Sequence, residues 1–213
     1  MYEGERFNSI THLVGSVLAL IATAVAITLA ATHADARTIA AVTIYGGMLV
    51  VLYLSSTLYH SLRGPAKKVF HVFDHTSIYL LIAGTYTPVG LLVLRGDWRW
   101  VVLGIVWSGA SAAVVLKFVW VEAPKWLAVA IGIALGWVAV VVFPQLLDRI
   151  GVAGSMLALA GGLAYTAGAL VYAFRRPDPV PAVFGYHELF HALVIVAVAC
   201  HYSAVAFYVL PDH

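Results

Sequence analysis

Residues 7–34 read FNSITHLVGSVLALIATAVAITLAATHA, 28 consecutive positions without an Asp, Glu, Lys or Arg. A helix crossing a bilayer needs about 20 mainly apolar residues, so this stretch alone is long enough to cross. It is too long for the apolar core of a signal peptide, and no small-residue cleavage pattern follows it, so it reads as a retained span. Six more charge-free intervals follow at 38–62, 75–94, 100–116, 126–147, 150–174 and 189–211, with lengths of 25, 20, 17, 22, 25 and 23 residues. The shortest gains length from Trp98, Phe118 and Trp120 at its ends. The predicted fold class is an all-α integral membrane protein, a seven-transmembrane helix bundle. One membrane domain covers 1–213, with spans near 9–31, 39–61, 75–94, 99–119, 126–147, 151–174 and 187–210.

Composition agrees. Hydrophobic residues make up 62% of the 213 positions and charged residues 10%, against about 25% charged in a soluble domain. A soluble globule of this size could not hide so much apolar surface. A soluble enzyme, a disordered regulator and a nucleic-acid module are excluded, and a net charge of +2 gives no basic footprint for nucleic acid. The single cysteine, Cys200, permits no intramolecular disulfide.

Seven spans put the termini on opposite sides. The side holding the N-terminus carries Arg6, Arg63, Lys67, Lys68, Lys117, Lys125, Arg175 and Arg176; the other carries Arg37, Arg95, Arg99 and Arg149. Eight basic residues against four favour a cytoplasmic N-terminus. The expected location is an inner (plasma) membrane. Asn8 and Ser9 are placed to cap the first helix. Pro65, Pro124, Pro177, Pro179 and Pro181 fall in loops, and Pro88 and Pro144 in or near spans, where kinks are expected. Gly161–Gly162 and Gly104/Gly109 allow helices to approach closely. Tyr2, Trp98, Trp100, Trp120 and Trp126 read as interfacial anchors.

Ionisable residues in or near a span are costly and are functional candidates by default. Here they are His12, His60, His71, Asp74, His75, His187, Glu188, His191 and His201. Span direction puts His60 at the cytoplasmic end of the second span, Asp74 and His75 at the start of the third, His187 and His191 at the start of the seventh, and His12 at the start of the first. Residues far apart in sequence converge on one depth. His187 and His191 are i and i+4, on one helix face, and can ligate one metal. His60 offers a third nitrogen. Asp74 can ligate directly or hold a metal-bound water. Three nitrogens plus an open position is the catalytic zinc pattern. His12, His71, His75 and His201 read instead as hydrogen-bonding partners between helices, and His33 and His213 as solvated.

Residues 187–191, His-Glu-Leu-Phe-His, match H-E-x-x-H of zinc peptidases. An intramembrane peptidase would need a further ligand in a later helix, and the only acid downstream is Asp212 at the far side. The motif supports zinc more than proteolysis. Glu188 lies about 100° round the helix from His187 and points toward headgroups or the sixth loop.

The sequence resembles the hemolysin III family, the bacterial branch of the progestin and adipoQ receptor family that includes the adiponectin receptors. The matching stretches are Glu5-Arg6-Phe7-Asn8-Ser9-Ile10-Thr11-His12, Ser56-Thr57-Leu58-Tyr59-His60, Phe73-Asp74-His75 running to Gly84-Thr85-Tyr86-Thr87-Pro88, and His187-Glu188-Leu189-Phe190-His191. The resemblance implies a seven-helix bundle with a cytoplasmic N-terminus and a Zn2+ near that face. His60, His187 and His191 would be its ligands, Asp74 would act through a water on the metal, and Ser56 would sit beside it. It also implies kinship with membrane metal-dependent hydrolases, alkaline ceramidases among them. Only about eight residues precede the first span here, so hormone sensing is not implied.

The expected function is zinc-dependent hydrolysis of a lipid amide or ester in membrane-lipid homeostasis, with Asp74 and Ser56 as catalytic residues and membrane lipids as partners and substrate. The alternatives are a non-enzymatic homeostasis sensor with a structural zinc and a cytolysin. A pore wants a polar stripe along its whole length, and spans four to six are almost wholly apolar.

Overall fold

Asp35 starts the second helix. Its Oδ1 accepts from the Thr38 amide and the Thr38 hydroxyl, both at 2.9 Å, satisfying a backbone donor that the first turn leaves free. The computed structural model describes residues 5–33, 35–181 and 183–212, and over these it is helical apart from turns and an isolated bridge between Val180 and Phe184. The helices are α1 (Arg6–His33), α2 (Ala36–Ser61), α3 (Gly64–Pro88), α4 (Trp98–Val119), α5 (Lys125–Gly136), α6 (Phe143–Phe174) and α7 (Tyr186–Ala204). π-helical turns at Val89–Val93 and Val205–Val209 extend α3 and α7, and a 3-10 segment, Trp137–Val142, joins α5 to α6. Among the described residues, six helical stretches are long and apolar enough to cross a membrane: Arg6–Thr32, Ala36–Ser61, Gly64–Val93, Trp98–Val119, Lys125–Phe174 and Tyr186–Val209. The chain is a multi-pass membrane protein.

The fifth stretch has 50 residues, about 75 Å if straight. It is not straight. Gly151 has φ 66° and ψ −179°, a left-handed backbone that glycine adopts without steric cost. Trp137 Nε1 donates to Thr166 Oγ1 at 3.0 Å across 29 residues, positions that a continuous helix would hold about 43 Å apart. The chain therefore folds back at Gly151 into two antiparallel legs.

Helix α2 packs between α1 and α3, α6 packs along α7, and α1 also touches α7. Buried residues on α2, α3 and α7, such as Leu49, Leu52, Tyr53, Leu81, Val194 and Val198, form one core around the polar site. A second core joins α3 and α4 to the α5–α6 hairpin. The opposite faces carry exposed Leu18, Ile21, Val115, Val152 and Leu163, as expected of surfaces covered by acyl chains.

Several sequence expectations change. Asn8 and Ser9 do not cap α1; they lie inside it and are fully buried. Helix α3 begins at Gly64, with Pro65 in its first turn, so Asp74 and His75 sit well inside it rather than at its start. Lys67 and Lys68 interrupt the apolar run without interrupting the helix. Gly161 and Gly109 do make close approaches, whereas Gly162 and Gly104 face open space. Trp98, Trp100, Trp120 and Trp126 are exposed near the ends of α4 and the start of α5. Tyr2, His213 and the His33 side chain lie outside the described residues.

Candidate metal centre

Two acids fix the first turn of α7. Asp178 Oδ1 accepts from the Tyr186 amide at 2.8 Å and Glu188 Oε2 from the Gly185 amide at 3.0 Å. The other Glu188 oxygen accepts from Asn8 Nδ2 at 3.0 Å, tying α7 to α1. Both carboxylate oxygens are thus engaged, one at the start of α7 and one on α1. On this anchored turn His187 and His191 share one face, as their spacing predicts.

His60, near the end of α2, meets them. One ring nitrogen from each of His60, His187 and His191 lies within 4.8 Å of the other two. His60 is 1% exposed and His191 2%. His187 Nε2 and His191 Nε2 are 3.3 Å apart. Two nitrogens bound to a tetrahedral zinc at 2.0–2.1 Å stand about 3.3 Å apart. His60 Nε2 is buried with no hydrogen-bond partner among the described residues. An unpaired buried ring nitrogen is costly, and a cation shared by three imidazoles removes that cost. The donor set fits a metal that accepts imidazole nitrogen, zinc among them.

Asp74 is outside the nitrogen trio but near it, close enough to act electrostatically on His60. Ser56 Oγ approaches the Asp74 carboxylate without reaching hydrogen-bond geometry, and it is buried without another partner. His75 is not a ligand. Its Nδ1 contacts the His71 carbonyl at 2.8 Å and its Nε2 the Tyr172 hydroxyl at 3.2 Å, so both nitrogens are taken. His201 is remote from the trio and packs its ring against Gly161 and Tyr165.

Sequence reasoning gave Glu5 no role, and it read His12 as a hydrogen-bonding partner between helices, which its contact with His191 on α7 bears out. In the structure Glu5 Oε2 bonds His60 Nδ1, while Glu5 Oε1 accepts from Lys67 Nζ at 3.1 Å. Burial raises the Glu5 carboxyl, but the bonds to His60 and Lys67 outweigh it and hold the group from its usual 4.5 down to about 2. His12 Nε2 lies 2.8 Å from His191 Nδ1. The available signal was spacing: Glu5, Asn8 and His12 fall at i, i+3 and i+7, one helical face.

A cavity of about 500 Å3 opens beside the centre. Asp74 and His187 form part of its wall near the three histidines. Ile82, Val89, Ile131, Val140 and Phe143 make its apolar length. It reaches from Lys125 to Phe143, about 27 Å along the helix axis.

These features define a class: a multi-pass helical membrane protein with a buried three-histidine candidate metal centre opening on an apolar cavity. The family model described as "Haemolysin-III related" matches residues 1–202, and the chain belongs to that family. It is 37% identical over 205 residues to "Hemolysin-3" of Bacillus cereus, covering 96% of this chain and 91% of that protein. It is 34% identical over 202 residues to "Hemolysin-3 homolog" of Bacillus subtilis (strain 168), covering 94% and 92%. It is also 28% identical over 172 residues to human "Monocyte to macrophage differentiation factor", covering 76% and 67%.

Proposed function

We propose that this chain is a seven-crossing protein of the bacterial plasma membrane, with its N-terminus in the cytoplasm, that hydrolyses a lipid amide or ester using zinc. The fold-back at Gly151 supports seven crossings, because it divides the 50-residue stretch into two legs. The basic residues favour the orientation. The observation that carries the reading is a three-nitrogen donor set with an acid beside it, opening on an apolar cavity of about 500 Å3.

His60, His187 and His191 would hold the ion. When bound, zinc would supply a Lewis acid and a water that ionises near neutrality. The apolar wall from Ile82 to Phe143 binds acyl chains and excludes bulk water. Asp74 accepts the proton of the attacking water and returns it to the leaving amine or alcohol. The Ser56 hydroxyl donates to the carbonyl oxygen as charge develops there.

The test is fatty-acid release from a panel of ceramides and glycerolipids by zinc-loaded protein in detergent, read by mass spectrometry. Asp74→Asn should retain zinc and lose about 10²- to 10⁴-fold in rate. Equal turnover by wild type and His191→Ala would overturn the reading. A zinc-loaded wild type inactive on every lipid, but stabilised by the metal, would make the centre structural.

A further inference from the structure

We propose that Glu5 and His12 are positioning residues of the metal centre, setting the tautomers of His60 and His191 so that each presents an Nε2 lone pair to the ion. The proposal rests on the metal-site reading above.

A neutral imidazole carries its proton on one nitrogen and a lone pair on the other. Which nitrogen can ligate is decided by the partner of the other one. For His60 the choice is forced. Glu5 Oε2 is bonded to Nδ1, and a carboxylate whose other oxygen is paired with the Lys67 ammonium can only accept there. The His60 proton therefore sits on Nδ1, and Nε2 carries the lone pair. That nitrogen is buried and unpartnered, a lone pair aimed at the place where His187 and His191 converge. Lys67, bonded to the second oxygen of Glu5 at 3.1 Å, fixes the carboxylate.

His191 has a reversible partner. Without a metal, donation can run either way along the two contacts: His12 Nε2–H to His191 Nδ1 at 2.8 Å with His191 Nε2–H to His187 Nε2 at 3.3 Å, or the reverse. With a metal, only the arrangement with the His191 proton on Nδ1, donated to His12 Nε2 while His12 holds its own proton on Nδ1, would leave the His191 Nε2 lone pair free. His12 has to accept for His191 to ligate. It is buried in α1, edge-on to Tyr53 with ring centroids 5.1 Å apart, so its ring is held in place. One turn of α1 and the residue before it thus orient two ligands carried by two other helices.

The experiment is Zn2+ affinity of the purified, metal-stripped full chain in detergent, measured by competition with a chromophoric chelator, together with the visible spectrum of the Co2+ form. Glu5→Ala and His12→Phe should each weaken Zn2+ binding about 10- to 100-fold and change the Co2+ spectrum. Glu5→Gln and His12→Gln, which keep an accepting oxygen, should recover part of the loss. The metal-free variants should melt with metal-free wild type, which separates positioning from a purely structural role. Wild-type affinity and an unchanged Co2+ spectrum in Glu5→Ala and His12→Phe would overturn the proposal and leave the centre standing. Wild type that binds no Zn2+ would overturn the centre itself, and the proposal with it.

Discussion

Replacing Gly161 by alanine tests the seat of α7. A methyl group built on Gly161 would lie 1.8 Å from His201 Cδ2, 2.3 Å from His201 Nε2 and 3.1 Å from the Ala197 carbonyl oxygen. Ordinary carbon contacts are about 3.5–4.0 Å, so the ring would have to yield by nearly 2 Å. Swinging the ring aside leaves the methyl pressed on the Ala197 carbonyl, and the backbone cannot swing, so α6 and α7 must part. Overpacking costs about 1–3 kcal/mol, and a clash involving both ring and backbone belongs at the upper end. The assay is chemical unfolding in detergent micelles, followed by tryptophan fluorescence. Gly162→Ala is the control: nothing lies within 4 Å of its new methyl, so it should be neutral or gain about 0.5–1 kcal/mol from reduced backbone freedom. Gly161→Ala combined with His201→Ala should recover most of the loss, a coupling of about 0.5–3 kcal/mol. Gly161→Ala as stable as Gly162→Ala would refute the close packing of α6 on α7.

Tyr86 donates to the Gly136 carbonyl at 2.6 Å and accepts from the Ala139 amide at 2.7 Å, pinning the 3-10 segment Trp137–Val142. Tyr86→Phe should cost about 1–3 kcal/mol and speed hydrogen exchange at Ala139; unchanged exchange there would count against the pin. At Asp35, hydrogen bonds from the Thr38 amide and hydroxyl lower the carboxyl below its usual 3.8. Its contribution to α2 is therefore full above that value and is lost as pH falls through the lowered one. Exchange at Thr38 should accelerate only under such acid conditions, and Asp35→Asn, which still accepts but does not titrate, should flatten the dependence. Zn2+ at 100 times its dissociation constant should stabilise wild type by about 2.7 kcal/mol, seen as a higher melting temperature. His60→Ala should gain none of it.

The charge-free intervals carried most of the helical layout, because a hydrocarbon surrounding penalises Asp, Glu, Lys and Arg directly. Helix starts were harder to read. Asp74 bounds the third apolar interval at its start, yet α3 begins at Gly64 and takes in Lys67 and Lys68, because a helix leaving the membrane can carry charge in water. The His60, His187 and His191 trio was legible from depth and an i, i+4 pair. Its supporting bonds were not. Glu5 lies outside every apolar interval, and the 2.8 Å approach of His12 to His191 depends on how α1 leans on α7, which spacing within one helix does not encode. Glu188 shows the converse: the H-E-x-x-H pattern suggested a base, and the residue serves as a helix-start acceptor and a tie to Asn8.

The bond between His12 and His191 spans 179 residues of chain. At a synthesis rate of about 5–20 residues per second, His191 emerges about 10–40 s after His12. Throughout that interval His12 lacks the His191 ring that satisfies it, and the three nitrogens cannot meet. Assembly of the candidate centre is therefore timed by translation. The three nitrogens come together only when α7 arrives beside α1, so an ion held by all three would mark a chain whose α7 is in place.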